Sequence, residues 1–406
     1  MRPVRPLAAP FFAGLAAILC GATSLLPAKV SEFARVVETV RGRKFDRAVP
    51  AGEIDTRELR ETLRAKLEES FPAPPEDTRR TLIALGLIED TPRLTERLID
   101  FYASQVIAFY DPEPRRFYVV RGAPAALEGE EFEGAAEKLI YTHELTHALQ
   151  DQNLGLDRRI KALKDNGDRA LALQSLLEGE ATLVMIKAAL ADLPGADDSV
   201  EEQIAPLLSA GSLEKSNAPK DVPAYFTEQL FFPYVEGTAY VRHAVKAGGW
   251  ARVDRLWKNP PLSTSEVMHP DAPAVVPAAD LLPARADALA PSGFRALYSD
   301  TMGEWGLRFL LRRSLEPAEA DPAAAAWRGD RVAFFSSSGG AIAYLWRIRL
   351  DGAAAAERLD RALQKSRRGN PTPGPETTLR QGNDLLVAGG FPGGPDWKRI
   401  SGLLPP

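Results

Sequence analysis

Four histidines make up the whole imidazole supply of this chain: His143, His147, His243 and His269. Two of them fall in the segment Tyr-Thr-His-Glu-Leu-Thr-His-Ala-Leu-Gln-Asp-Gln (141–152), with the spacing His143-Glu144-x-x-His147. In a helix, residues four apart lie about 40° apart around the axis and one turn along it, so both rings point at one spot. Two nitrogen ligands of a single zinc ion need that arrangement. Glu144, next to the first ring, is within reach of a third species on the metal, where water would sit. Leu139 and Ile140 share the histidine face, which predicts rings turned inward toward a cleft. The competing reading is a pair of histidines satisfied by hydrogen bonds in an ordinary amphipathic helix. With a single cysteine, Cys20, neither a cysteine-based zinc site nor a disulfide framework is available.

A catalytic zinc site needs a third protein ligand. No third histidine follows at the short spacing HExxHxxGxxH, so a carboxylate on a following helix is expected. Leu-Leu-Glu-Gly-Glu-Ala-Thr (176–182) supplies Glu178 and Glu180. Helical geometry leaves both open: Glu180 sits among Leu176, Leu177 and Val184, whereas Glu178 shares a face with Gln174, Ala181 and Met185.

The combination of HExxH with a downstream Glu-Gly-x-Ala resembles the gluzincin branch of zinc metallopeptidases. That resemblance implies a zincin-like fold, a Zn²⁺ cofactor, Glu178 as third ligand, Glu144 as general base, and small residues Gly179 and Ala181 that let this helix approach the HExxH helix. Glu236-Gly237-Thr238-Ala239 repeats the signature and makes Glu236 a rival ligand. Gluzincins commonly use a Tyr or His as donor to the oxyanion, so Tyr234, Tyr240 and His269 are candidates; core packing is the other fate open to the tyrosines, and loop capping to His269. Asp151 either orients His147 or is a helix-surface carboxylate, and His243 reads as exposed. A longer pattern is similar to a group of uncharacterised bacterial exported proteins of metallopeptidase type. It comprises 108–119, 143–152, 176–182, 232–241 and 260–270, with a weaker match at 303–306 and 327–331.

The surrounding chain must position these groups. Its 406 residues are enough for two or three domains, and 45% hydrophobic with 26% charged residues is a globular balance. A net charge of −5 without a concentrated Lys/Arg tract argues against a nucleic-acid partner. Arg2 and Arg5 precede an uncharged apolar run, Leu7 to Ala28, which reads as an export signal or a membrane anchor; Cys20 raises lipidation, although Leu19 is large for a lipobox. Residues 29–75 form an N-terminal extension with a strand-like patch near Arg41–Val49 and a helix at Thr56–Ser70. The three prolines of 71–77 make a turn. Residues 76–270 form the mostly helical catalytic domain: two helices in 78–108, a turn at 111–114, a short strand at 117–120, and helices at 134–152, 168–193 and 219–249. A Pro/Ala-rich linker, 271–291, precedes a smaller α+β region, 292–406, with helices at 303–313 and 353–365 and strands at 332–336, 342–350 and 384–388.

The expected protein is therefore α+β, zincin-like, with a short edge-strand sheet: an exported, extracytoplasmic zinc peptidase acting on peptide or protein substrates. The alternative is a non-catalytic cell-envelope scaffold retaining the fold. Its signature, loss of Glu144 or of a ligand, is absent from the sequence.

Overall fold

The computed structural model describes residues 26–122, 130–163, 165–191, 200, 221–272, 280–283, 286–369 and 376–405. Residues 1–25, the larger part of the segment read above as an export signal or membrane anchor, with Arg2, Arg5 and Cys20, lie outside them, as do 273–279 and 284–285 of the expected 271–291 linker. Leu26–Ala28 open a helix instead, α1 (Leu26–Arg41). Among the described residues no helix is long and apolar enough to cross a membrane.

The fold is mixed α+β, with two sheets among the described residues. The first is built from β1 (Ala51–Asp55), β2 (Ala108–Asp111) and β3 (Arg116–Arg121) in the order β1-β3-β2. β1 runs parallel to β3, Ala51 opposite Phe117, and β2 runs antiparallel to it, Tyr110 opposite Phe117. The 112–115 turn joining β2 to β3 falls where Asp111-Pro112-Glu113-Pro114 predicts it.

Helix α5 (Glu130–Leu154) carries the HExxH motif and is wedged between this sheet and α1. Ile140, Tyr141, Leu145 and Leu149 share a buried cluster with Val30, Val37, Phe117 and Val119. The Tyr141 ring meets Phe117 at 4.8 Å and Phe33 edge-on at 5.2 Å. Gly155, at φ +64, ends α5 by donating its N–H to the Asp151 carbonyl, the left-handed stop that glycine makes at low cost. Residues 29–75 thus flank the HExxH helix directly. The alternation in 41–49 does not form a strand; the chain there crosses the end of α5, where the Asp46 and Arg47 N–H groups donate to the Gln152 side chain. Those side-chain acceptors take the place of strand neighbours, and pairing begins only at Ala51.

Helix α7 (Gly167–Leu190) is buried along nearly its whole length, as an all-round apolar helix should be. It crosses α8 (Ala224–Lys258) at a point where two glycines face each other. A Cβ on Gly179 would lie 2.1 Å from the Gly237 carbonyl oxygen, and one on Gly237 would lie 2.2 Å from the Ser175 carbonyl oxygen. The small residue after Glu178 therefore admits α8, not the HExxH helix as the sequence suggested, and the second Glu-Gly-x-Ala is the other half of the same crossing. Helix α8 breaks at Gly248–Gly249, Gly249 having φ +61, and resumes at Trp250. The other helices named among the described residues of this half are α2 (Thr56–Ser70), α3 (Pro75–Ala84), α4 (Leu94–Gln105), α6 (Leu156–Lys161) and the short α9 (Thr264–Met268).

The second sheet is five-stranded and antiparallel, in the order β4-β5-β6-β8-β7: β4 (Phe294–Asp300), β5 (Trp327–Ser337), β6 (Ile342–Leu350), β7 (Glu376–Gln381) and β8 (Asp384–Gly389). Helices α10 (Gly303–Arg312), α11 (Pro317–Ala324), α12 (Ala353–Gly369) and α13 (Trp397–Leu403) accompany it. One continuous apolar core joins Leu98, Leu176 and Leu177 to Trp305, Phe334 and Trp346 of this region. A buried polar knot ties its loops to the foot of α7. Asp300 accepts from the Gly167 N–H at 2.7 Å, and Asp168 accepts from the Thr264 N–H and hydroxyl at 3.1 and 2.5 Å. Burial pushes the Asp168 and Asp300 carboxyls up to about 7 and about 6. The helix that carries Glu178 is therefore anchored at its base by the C-terminal sheet.

Candidate metal centre

The apolar positions of α5 face α1 and the first sheet, which leaves the His143–His147 face turned toward α7. There the two rings meet Glu178. His143 Nε2 lies 3.1 Å from Glu178 Oε2, His147 Nε2 lies 3.3 Å from the same oxygen, and the two Nε2 atoms are 3.2 Å apart. All three side chains are buried, and their ligand atoms fall within 4.8 Å of one another. Glu180, on the same helix, is turned away: its oxygens receive Arg41 Nε, Trp257 Nε1 at 2.6 Å and Gln150 Nε2 at 2.9 Å. Glu236 is half-buried on α8 and is no part of the cluster. Of the three carboxylates left open by the sequence, Glu178 alone reaches both rings.

The charges in the cluster follow from its burial. Desolvation would raise the Glu178 carboxyl, but the His147 and His143 rings hold it well below the usual carboxylate range. Burial would lower His147, and the Glu178 carboxylate overrides it upward; His143 is lowered chiefly by burial.

Zn²⁺ fits these donors on two counts. Ligand atoms about 2.0–2.1 Å from a tetrahedral zinc are about 3.3 Å apart, close to the three distances found. The ring tautomer also fits. Gln150 directs its Nε2 at two acceptors, the Leu177 carbonyl and Glu180, both at 2.9 Å, so its Oε1 faces His147 Nδ1 at 2.9 Å. Nδ1–H donates to that oxygen, and the Nε2 lone pair points into the cluster.

Glu144 is buried beside the triad and accepts the Tyr110 N–H at 3.0 Å from β2, the end strand of the first sheet among the described residues. Burial pushes its carboxyl up to about 8; the His147 ring pulls it down and Glu178 adds to the rise. Tyr234 stacks on His143, ring centroids 5.9 Å apart and 22° from parallel. Burial and then the Glu178 and Glu144 charges push its phenol well above the usual range, so the hydroxyl stays a neutral donor, bonded to Glu178.

Tyr240 and His269 are placed elsewhere. The Tyr240 hydroxyl reaches Glu266 at 3.4 Å and His269 pairs with Glu304 at 2.9 Å. Six residues beyond Tyr234 on one helix is about 240° around the axis, which sends Tyr240 to another face. Asp151 is buried and not a surface carboxylate; it accepts the Tyr110 hydroxyl at 2.9 Å and the Leu156 N–H at 2.8 Å. Orientation of His147 belongs instead to Gln150, one position earlier. Its i+3 spacing from His147 inside the motif segment was the available signal. His243 is half-buried, 3.6 Å from Asp271.

Residues 293–389, the stretch from β4 to β8, match the family model of a domain of unknown function (DUF8575). No curated protein and no solved structure matches the chain.

Proposed function

We propose that the chain is a zinc-dependent peptidase of zincin type that works outside the cytoplasm. The observation that carries this reading is the convergence of His143, His147 and Glu178 on one point with Glu144 beside it. His143 Nε2, His147 Nε2 and Glu178 would hold the ion. Zn²⁺ bound there would supply a Lewis acid that polarises a carbonyl and makes water acidic near neutral pH. Glu144 accepts the proton of the attacking water as the new C–O bond forms, and returns it to the amide nitrogen as the C–N bond breaks. Tyr234 donates to the carbonyl oxygen as that oxygen gains charge. The Tyr110 N–H, on the outer side of β2, is the backbone donor that would align an extended peptide, and Glu144 has to release it when the peptide enters. The apolar N-terminal run supports a location across or beyond a membrane.

The scaffold alternative shares the fold and the metal but has no chemistry. Incubating the zinc-loaded protein with a broad peptide library separates the two. Cleavage is expected, if not from the intact chain then after limited proteolysis in the 271–291 segment. A folded, zinc-loaded protein that cleaves nothing in either form would leave the scaffold.

A further inference from the structure

A buried charged cluster lies directly behind the triad, outside any role assigned so far. Glu180 is fully buried, and each of its oxygens is engaged: Oε1 by Arg41 Nε, Oε2 by Trp257 Nε1 and Gln150 Nε2. Arg41, at the end of α1, is itself buried. Its guanidinium donates to Asp254 at 2.6 Å and lies 4.7 and 4.8 Å from the Trp250 and Trp257 ring centroids. Both tryptophans follow the Gly248–Gly249 break in α8. A cation paired with a carboxylate, stacked between indoles and hydrogen-bonded at each end, is held in one geometry.

That geometry bears on the triad through a single amide. Gln150 has two chemically distinct ends, and only the acceptor end serves a metal ligand. With Oε1 on His147 Nδ1, the ring carries its proton at Nδ1 and leaves Nε2 free. Reversed, the amide would present N–H groups to Nδ1, and the ring would carry its proton at Nε2, in the ligand position. The Leu177 carbonyl and Glu180 select the first orientation because both are acceptors. Arg41 pairs with Glu180 from the side opposite the amide.

We propose that Arg41, Glu180 and Gln150 form a positioning relay that keeps His147 Nε2 free for the metal. This rests on the metal-centre reading above, and it makes α1 part of the machinery that sets zinc affinity.

The test uses the full chain labelled with ¹⁵N-histidine, whose four imidazoles give few signals to assign. A slowly exchanging His147 Nδ1–H proton is expected with and without zinc. In Gln150→Met and in Glu180→Gln it should be lost to exchange. Zinc affinity, measured by chelator competition, should fall about 10- to 100-fold in both, the usual effect of removing a partner that orients a metal ligand. The double exchange, Gln150→Glu with Glu180→Gln, puts a carboxylate on Nδ1–H and an amide toward Arg41. It should recover most of the lost affinity, which general loosening of the fold would not. Thermal unfolding of each variant identifies any that fails to fold. The relay is overturned if the wild type lacks the protected Nδ1–H, or if both folded single variants bind zinc like the wild type. If the Nδ1–H behaves as described while the wild type takes up no zinc, the relay stands and the metal reading fails.

Discussion

Glu144→Gln should abolish peptidase activity while sparing zinc and fold. The amide has the size of the carboxyl but cannot take a proton from water. General acid–base catalysis of this kind contributes about 10²–10⁴ in rate, so turnover should fall at least about a hundredfold, with kcat dropping more than KM rises. Zinc content should hold, because the ligand atoms are those of His143, His147 and Glu178. Stability should hold, because the amide matches the carboxyl in size and its oxygen still accepts the Tyr110 N–H. Steady-state kinetics with elemental analysis and thermal unfolding on one preparation read all three. Activity within a few-fold of wild type would remove Glu144 from its role.

The second large effect is expected at the α7–α8 crossing. Alanine at Gly179 would put a methyl group 2.1 Å from the Gly237 carbonyl oxygen, where carbon and oxygen need more than 3 Å. Backbone, unlike a flexible side chain, cannot turn aside, so the helices must separate. Overpacking a core commonly costs about 1–3 kcal/mol, and a clash between two buried backbones belongs at or above the upper end. Glu178 is the adjacent residue, so the separation also draws its carboxylate off the rings; catalytic and metal constellations tolerate only about 0.5 Å of such movement. Gly179→Ala and Gly237→Ala should both lower the thermal midpoint by several degrees and weaken zinc binding. Gly352→Ala, where a Cβ meets nothing within 4 Å, is the matched control. Wild-type midpoints and zinc affinity in both crossing variants would refute the role given to the two glycines.

Much of this site was legible in the chain because its determinants are local. The His143–His147 spacing, the apolar face of α5 and the apolar run around Glu178 each act within one helix. The helices at 303–313 and 353–365 and the strands at 332–336, 342–350 and 384–388 were readable on the same grounds. What was not legible depends on partners far away in sequence. Nothing near Glu180 says that Arg41 will neutralise it from 139 residues upstream, so Glu178 and Glu180 could not be separated by helical geometry alone. Gly179 reads as a small residue, but whether it admits α5 or α8 depends on where a second glycine, 58 positions on, comes to lie. Asp151 looked like a surface carboxylate until Tyr110, from β2, covered it. Strands β4 and β7 escaped notice for a related reason: both are edge strands of the C-terminal sheet, with mixed burial and no long apolar run.

The central claim is that three side chains hold one zinc ion, and metal analysis of the purified full chain tests it most directly. Wild-type protein should carry one equivalent of zinc. His147→Ala and Glu178→Gln should each lose it on dialysis against a mild chelator and remain folded, the loss being that of a ligand. A folded wild type without zinc, or a His147→Ala protein that keeps the full equivalent, would contradict the account.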